Sequence, residues 1–470
     1  MQGELKIGLV GPSKAQRSLP WDAQRTINLF PVLDKEGLEV SALYGTPGLT
    51  TFCTCGIGPV RGSFPSTKGR GFVVAYNQLY EVFSNGTSSV LGTLDTTSGA
   101  VSIDENPTQM MICDGANGYI LTYASNAFAK ITDLDFPSAG TVTFIDSYFA
   151  VNKNNTGSFY ICSPNNGLAW DALDFATAES SPDNLLRVLN AVGQLWLFGS
   201  KTTEIWTDTG AVAFPFARIS GAKMETGILA PLSAVAVDNT VVWVGADGYG
   251  AGIVFRANGF TPQRISDDAV EYAISQATDK ANMRGFTYQQ EGHAFYFLTG
   301  GGLATSWIYD FTTQLWHERA YLNPNGFFEQ HLACSGMYIF GKQLVGDRMN
   351  GNIYVMSLDA YSDAGNPLVS KRVYTHVADK SDQIRFNQLQ IAMEVGDGLQ
   401  SGQGSDPTML LRVSKDGART WSDSYAAYVG QVGQYQANVK WRRLGIAQTL
   451  TFEVTQSDPI KRSWIGAYLS

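Results

Sequence analysis

The sequence predicts an all-β protein, built as a β-propeller of six or seven blades with an additional antiparallel β-domain. The first sign is a recurring motif in which an apolar strand, a Gly/Asn turn and a second apolar strand follow one another, most clearly at Gly71–Val82. The second arms of such hairpins recur about every 40–54 residues, close to the length of a four-stranded blade. The composition also suits turns and buried sheets, with 49 Gly, 12% aromatic and only 16% charged residues.

Residues 1–58 do not show this regular recurrence of hairpins. They are predicted to form an N-terminal β segment that packs on the C-terminal domain. A short strand is expected at Leu5–Val10, and two longer apolar stretches lie within Arg25–Asp34 and Ser41–Phe52.

Residues 59–365 are predicted to form the propeller. Its first blade is expected at Val60–Phe64, Gly71–Tyr76, Leu79–Phe83 and Ser89–Leu94. Seven hairpins allow six or seven blades, because a ring can close with one blade shared between distant segments of the chain.

One segment breaks the all-β pattern. Within Asp267–Ala277 the apolar residues have helical spacing behind an acidic first turn, which predicts a short helix with Ser266 as its N-cap. A surface helix between blades is the favoured interpretation, and a contact between subunits is the alternative.

Residues 366–470 are predicted to form a C-terminal β-sandwich-like domain, because they contain several long stretches of alternating polar and apolar residues. The Gly- and Pro-containing stretch Tyr361–Ser370 is expected to be a linker before it.

The net charge of −9 is unevenly distributed. Residues 59–365 hold 16 Lys/Arg against 28 Asp/Glu, whereas residues 366–470 hold 12 against 9. An acidic body argues against gripping DNA, since phosphate binding relies on Lys and Arg, but it is compatible with DNA passing nearby. A merely soluble acidic surface is an equally good explanation.

Nothing in the sequence indicates a metal, a cofactor or a membrane span. The five cysteines have no paired spacing typical of a disulfide framework or a zinc site, so reduced thiols are expected. The first residues lack the apolar core of a signal peptide, and no stretch reaches the length of a transmembrane helix.

The sharpest local motif is Ser414–Trp421, which resembles the Asp-box of sialidase-like propellers. Asp416 is expected to accept backbone N–H groups within a hairpin turn, as such carboxylates do. Gly417 stands one position earlier than in that motif, so Ala418 occupies the usual glycine position. The box is structural in that family, so no catalytic role is transferred. The residues of the predicted structural turn are Ser414, Asp416, Gly417, Thr420 and Trp421.

Catalytic constellations are absent from the sequence. It has no GxSxG, P-loop or GxGxxG motif, and its four histidines are scattered through β-rich segments, which favours packing or surface roles. Lys440, Trp441, Arg442 and Arg443 place cations around an aromatic ring on a strand. Stacking on nucleic acid is one interpretation of this run, but a contact with a partner protein or a solvated edge is favoured.

Three stretches together resemble one family. They are Thr26–Pro31 with Ala42–Leu49, the Val60–Gly62 opening with its Gly71–Val82 hairpin, and the tail from Leu410 to Ile460. The combination resembles the tail-hub or nozzle proteins of short-tailed bacteriophages, also called packaged-DNA stabilisation proteins, over essentially the whole chain.

This resemblance implies a structural virion protein rather than an enzyme. It implies a homohexamer below the portal and its adaptor ring, which retains the packaged DNA and conducts it during ejection. Tail fibres or spikes and a plug or needle would dock on it, and assembly would take place in the host cytoplasm. The alternative function is that of a sialidase-like propeller that cleaves or binds host glycans, which requires two opposed carboxylates if it is catalytic.

Overall fold

A computed structural model describes residues 5–14, 24–33, 41–178, 181–247, 250–374, 377–378 and 383–470. His376 lies outside these residues. The hairpin expected across 240–259 lies partly outside them, at its turn. Nearly all regular structure in the described part is β, which confirms the predicted fold class.

Seven antiparallel sheets follow one another along the chain as blades. The first four are formed by Val60–Pro65, Gly71–Ala75, Gln78–Val82 and Ser88–Thr93; by Ser102–Glu105, Gln109–Cys113, Gly118–Thr122 and Ala127–Lys130; by Ala139–Ile145, Tyr148–Lys153, Ser158–Ser163 and Asn166–Thr177; and by Leu185–Ala191, Gln194–Gly199, Thr203–Asp208 and Phe216–Met224.

The last three blades have additional or distant strands. Blade 5 contains Gly227–Ile228, Val235–Val237, Thr240–Asp247, Gly250–Asn258 and Thr261–Arg264; blade 6 contains Met283–Gln290, His293–Gly300, Ser306–Asp310 and Leu315–Leu322; blade 7 contains Ala333–Ile339, Lys342–Asp347, Asn352–Ser357 and, from far upstream, Gly48–Thr54.

Apolar packing between the blades closes the ring. Each neighbouring pair of blades shares one cluster of buried side chains, from the pair 1–2 round to the pair 7–1. In the final cluster Val60 and Val73 of blade 1 pack against Leu344 and Ile353 of blade 7. The structure therefore resolves the predicted six or seven blades to seven.

The strand Gly48–Thr54 completes blade 7 by pairing antiparallel with Asn352–Ser357, with Leu49 opposite Met356. The prediction of a blade shared between distant segments is thus confirmed. This strand comes from the segment 1–58, whose other described strands join the sandwich. The division into residues 1–58, 59–365 and 366–470 stays a prediction.

The single α-helix among the described residues spans Asp268–Gln276. Ala269, Val270 and Ile274 bury its inner face in the cluster between blades 5 and 6. The predicted N-cap was wrong by one residue, because Asp267 caps the helix by accepting from the Val270 N–H at 3.0 Å. Two short 3₁₀ turns lie at Pro231–Ser233 and Lys280–Asn282.

Ser266 contributes differently from the prediction. Its hydroxyl oxygen accepts from the Val254 N–H at 3.0 Å, and the hydroxyl donates to Glu271 at 2.7 Å. It therefore ties the helix to blade 5.

Two packed sheets form the additional domain. One contains Leu5–Ile7, Leu29–Leu33, Ser41–Gly45, Ile384–Met393, Val439–Ala447 and Ser463–Leu469; the other contains Arg25–Ile27, Ser370–Val373, Val377–Ala378, Thr408–Ser414, Tyr425–Tyr428 and Thr449–Gln456. Their facing side chains form one apolar core that includes Trp464, Phe452 and Leu389. The N-terminal strands thus take part in the C-terminal sandwich, as predicted.

The sandwich is joined to the propeller by strand pairing and by buried polar groups. Ile27 pairs in parallel with Glu318 of blade 6, so one sheet continues from the propeller into the sandwich. Buried Asn28 donates to the carbonyls of Ala320 and Val369 at 2.9 and 2.8 Å. The two bodies therefore share backbone hydrogen bonds.

The stretch Tyr361–Ser370, which was predicted to be a linker, contains paired strands. Ser362–Asp363 and Asn366–Pro367 form a small hairpin, and Asp363 pairs with Leu49 at the outer strand of blade 7. A further short strand, Phe328–Gln330, pairs with Leu315–Leu322. The tight turn of the hairpin between Ser362 and Pro367 is formed by Ala364 and Gly365, with φ of +51° and +86°.

Candidate assembly surfaces

The Asp-box-like turn lies in the sandwich, after the strand Thr408–Ser414. The Asp416 carboxylate accepts from the N–H groups of Arg419 and Thr420 at 3.1 and 2.9 Å, and from the Thr420 hydroxyl at 2.6 Å. The Ser414 hydroxyl donates to it at 2.7 Å. The Thr420 contacts above all hold the pKa of Asp416 well below its usual range.

The turn places two consecutive residues in the left-handed region, with φ of +71° at Gly417 and +66° at Ala418. Ala418 therefore adopts the conformation that a glycine takes without strain. Trp421 is half-buried, and the Arg412 guanidinium carbon lies 5.6 Å from its ring centroid. Because the Asp416 carboxylate is occupied within the turn, the geometry supports a structural role.

The strand Val439–Ala447 carries Lys440, Trp441, Arg442 and Arg443 at the edge of its sheet. Trp441 is buried in the sandwich core, and its indole N–H donates to the Tyr425 carbonyl at 2.8 Å. Its ring therefore cannot stack on a base or on a partner. Lys440 is half-buried, while Arg442 and Arg443 are exposed.

A β-bulge sets the direction of the two arginines. Gln388 pairs with Arg442 and Phe386 pairs with Gly445, so Arg443 and one further residue oppose a single residue of the neighbouring strand. Arg443 adopts a φ of +62° at this point. In a regular strand neighbouring side chains point to opposite faces, whereas here both arginines face outward.

Two further cations lie on this surface, and the sequence alone did not predict that they belong to it. Arg385 is exposed beside Arg442 and Arg443, and the three line a depression of about 780 Å³. Lys415, from the Asp-box-like turn, brings its Nζ to 3.0 Å from the point where a Cβ on Gly445 would lie. We call Arg385, Lys415, Arg442 and Arg443 the basic edge.

No carboxylate in the described ranges forms an ion pair with any residue of the basic edge. Four unpaired, exposed cations on one face favour an acidic partner surface through electrostatic complementarity. The two sequence-predicted features, the turn and the cationic strand, are thereby brought together.

The histidines and cysteines form no reactive site in the described part of the chain. Burial lowers the pKa of His317 to about 3 and that of His331 to about 4, and His293 bonds Asp310 at 2.8 Å. All five cysteines are buried and free. Among the described residues there is no cluster of metal-ligating side chains. No described helix has the length and apolarity to span a membrane.

Comparison with known families shows to which family the chain belongs. Residues 5–361 match the family model described as bacteriophage P22 Gp10, beta-propeller. Residues 371–469 match the model described as bacteriophage P22 Gp10, beta-sandwich. The chain belongs to this family. It is therefore a structural tail protein of the phage virion, of the tail-hub or nozzle type of short-tailed phages, as the resemblance predicted.

More distant structural similarities add no argument about function. The designed Ika8 protein is 11% identical with a TM-score of 0.38, over 74% of this chain and all of that one. The extracellular domain of BT4673 from B. thetaiotaomicron is 11% identical with a TM-score of 0.45, over 89% of this chain and 63% of that one. No curated protein matches the sequence.

Proposed function

We propose that this protein is a non-enzymatic hub or nozzle in the phage tail, which retains packaged DNA and conducts it during ejection. Membership of the P22 Gp10 family over both bodies of the chain carries this proposal. Six copies would form a ring below the portal and adaptor. Tail fibres or spikes and a plug or needle would dock on its outside and lower end, after assembly in the host cytoplasm.

The direct test compares particles with and without the protein. Particles that lack it are expected to fill with DNA and then lose it, because the channel has no closure. DNA content is measured by quantitative PCR after nuclease treatment of purified particles. Particles that keep their genome without this protein would overturn the proposal.

The DNA path runs through the ring of copies and not through one propeller. The axial channel of the propeller has a volume of about 1200 Å³, which is similar to a small-molecule pocket of about 300–1,000 Å³ and far too small for a duplex. The acidic propellers would line the larger lumen, where repulsion keeps the phosphate backbone from binding. A predominantly basic lumen in a cryo-EM structure of the assembly would rule out this mechanism.

The basic edge supplies the docking chemistry in this proposal. Its four unpaired cations suit an acidic surface of the adaptor ring. Reversing three of them, in Arg385→Glu, Arg442→Glu and Arg443→Glu together, is expected to weaken adaptor binding strongly, and the wild-type affinity is expected to fall with salt.

A matched control keeps the same change of net charge. Lys68, Lys201 and Lys342 are exposed on the propeller, and the triple change of these residues to Glu leaves the basic edge intact. Binding to immobilised adaptor rings is measured for both variants by surface plasmon resonance. Equal loss of binding in the two variants would show that only the net charge matters.

Self-association is expected to be weak without partners. The isolated chain should sediment as a monomer or a weak oligomer, with the hexamer ordered on the particle. A stable hexamer of the purified chain in analytical ultracentrifugation would contradict this part of the proposal.

A further inference from the structure

Each sheet of the sandwich ends in a strand that has a neighbour on one side only among the described strands. These end strands are Tyr425–Tyr428 and Val439–Ala447. They lie side by side, since the indole N–H of Trp441 in one strand donates to the Tyr425 carbonyl in the other at 2.8 Å. Free sheet edges of this kind are surfaces on which another chain can pack.

A slot of about 430 Å³ opens between these two strands. Its inner wall is apolar and contains the buried side chains of Val413, Trp441 and Leu444. At its rim Tyr425 is 51% exposed and Lys440 is half-buried. Lys440 forms no hydrogen bond or ion pair with any residue that the structure describes. The slot therefore suits an apolar side chain that has a carboxylate beside it.

Two leucine side chains project into solvent at the outer rim of blades 2 and 3. Leu134, in the turn that connects these blades, is 99% exposed, and Leu173, in the outermost strand of blade 3, is 80% exposed. The Asp133 carboxylate accepts from the Trp170 N–H at 2.9 Å and so joins the turn to that strand. Exposed apolar groups that lie together are typical of interaction sites.

A bulge carries Leu173 away from its sheet. In the strand Asn166–Thr177, the four residues Asp171–Asp174 stand opposite the single residue Ile161 of the neighbouring strand. The Asp171 carboxylate accepts from the Leu173 N–H at 2.9 Å, which closes a tight turn. The leucine is thus held outward by the backbone conformation.

Carboxylates stand on both sides of each leucine, at Asp133, Asp135, Asp171 and Asp174. None of them forms an ion pair with a described residue. Burial and the charge of Asp171 raise the pKa of Asp174, so an approaching cation would stabilise its charged form. We call the two leucines and these four carboxylates the leucine tips.

The slot and the leucine tips lie on opposite sides of the molecule. The sheet of blade 6 continues into the sandwich, where Tyr425–Tyr428 is the fifth strand beyond Leu315–Leu322. In a ring of seven, blades 2 and 3 are each three places from blade 6, which is the largest separation the ring allows. The two surfaces therefore cannot meet within one chain, but they can meet between copies. A contact between two different surfaces of identical chains repeats head to tail, and a suitable rotation closes it into a ring.

We propose that the leucine tips of one copy dock in the slot of the next copy. A leucine fills the apolar slot, and the carboxylates beside it pair with Lys440. This contact rests on the proposed ring of copies and names the two surfaces that form it. The depression lined by Arg385 is separate from the slot, so the basic edge can bind the adaptor at the same time.

Disulfide crosslinking of the purified full chain tests this contact. Leu173→Cys and Tyr425→Cys are prepared as separate proteins, mixed at high concentration and oxidised with copper phenanthroline. The five native cysteines are buried, and a disulfide requires Cα atoms within about 7 Å, so only touching surfaces are linked. A linked dimer is expected in the mixture, and only background in either variant alone. Oxidation traps even a weak association.

The matched control replaces Leu173→Cys with Ile57→Cys. Ile57 is 93% exposed and lies between strands of blades 7 and 1, away from the leucine tips. Its mixture with Tyr425→Cys should give no dimer above background.

A charge-reversal arm tests the role of Lys440. Adding Lys440→Glu to the Tyr425→Cys protein should lower the dimer yield at least about threefold, and adding Asp174→Lys to the Leu173→Cys protein should restore it. Circular dichroism checks that each variant is folded. A restored yield is a result that a merely structural role of Lys440 would not produce.

Assembled particles provide the second measurement. A chain that carries both Leu173→Cys and Tyr425→Cys should give a ladder of linked copies up to the complete ring on a non-reducing gel. Absence of linked copies in both the mixture and the particles, or an equal yield with Ile57→Cys, would overturn the inference. The proposed function would survive that result, because the DNA content of the particles decides it.

Discussion

The strand Gly48–Thr54 closes the propeller, and Gly48 is the position where its fit is most sensitive. The Gly48 N–H donates to the Ala360 carbonyl at 3.0 Å. A Cβ on Gly48 would overlap the carbonyl oxygen of Ala360 and lie 2.6 Å from that of Ser362. Both atoms belong to backbone, so no flexible side chain can move aside. Gly48→Ala must therefore displace the closing strand or the segment that covers it.

Overpacking of a rigid site costs about 1–3 kcal/mol, and the double backbone overlap places this change near the upper value. At about 2.1 cal/mol/K of unfolding entropy per residue, a body of about 300 residues loses about 5 °C in Tm for a loss of 3 kcal/mol. Differential scanning calorimetry measures this shift directly. Proteolysis of the folded protein should also become faster at the displaced closing strand.

Gly8→Ala is the matched control for this experiment. Gly8 is exposed, and apart from its own chain neighbours no heavy atom of the described residues lies within 4 Å of the place that a methyl group on it would occupy. This change should alter stability by less than about 0.5 kcal/mol. If Gly48→Ala were as stable as Gly8→Ala, the close approach at the closing strand would not constrain the fold.

Three other outcomes are expected. Ala418→Gly should raise the free energy of unfolding by about 1 kcal/mol in urea titrations, because φ of +66° costs alanine about that much; a decrease would contradict it. Trp441→Ala should cost about 3–5 kcal/mol, whereas Arg442→Ala should change stability by less than about 0.5 kcal/mol; similar losses would show that the assigned burial is wrong. A thiol reagent should titrate none of the five buried cysteines in the native protein and all five in guanidinium, so rapid native labelling would refute their burial.

The local features of the fold followed from the sequence. Strands such as Gly71–Ala75 and Gln78–Val82 are specified by runs of apolar β-formers around a short turn, and this signal lies within a dozen residues. The regular spacing of the blades could also be predicted from the sequence, because each hairpin repeats the same local signal. The family was also accessible, since its motifs are continuous stretches of sequence.

Two kinds of feature could not be predicted from the sequence: those decided by competition between neighbouring residues, and those decided by contacts between residues far apart in the sequence. Ser266 and Asp267 are both residue types that cap helices well. The Ser266 hydroxyl oxygen accepts from the Val254 N–H of blade 5, and Asp267 caps the helix instead. The stretch Tyr361–Ser370 has the composition of a linker, but its pairing with Leu49 orders it. In each case a partner far away in the sequence decided the local conformation.

The sequence by itself determined that this protein is a repeat of antiparallel hairpins with a β-rich tail, because hydrophobic periodicity and turn residues act locally. The tertiary structure alone decided the count of seven blades and the outward direction of both Arg442 and Arg443. These depend on ring closure and on a bulge against a neighbouring strand. Such contacts join residues whose spacing along the chain carries no periodic signal.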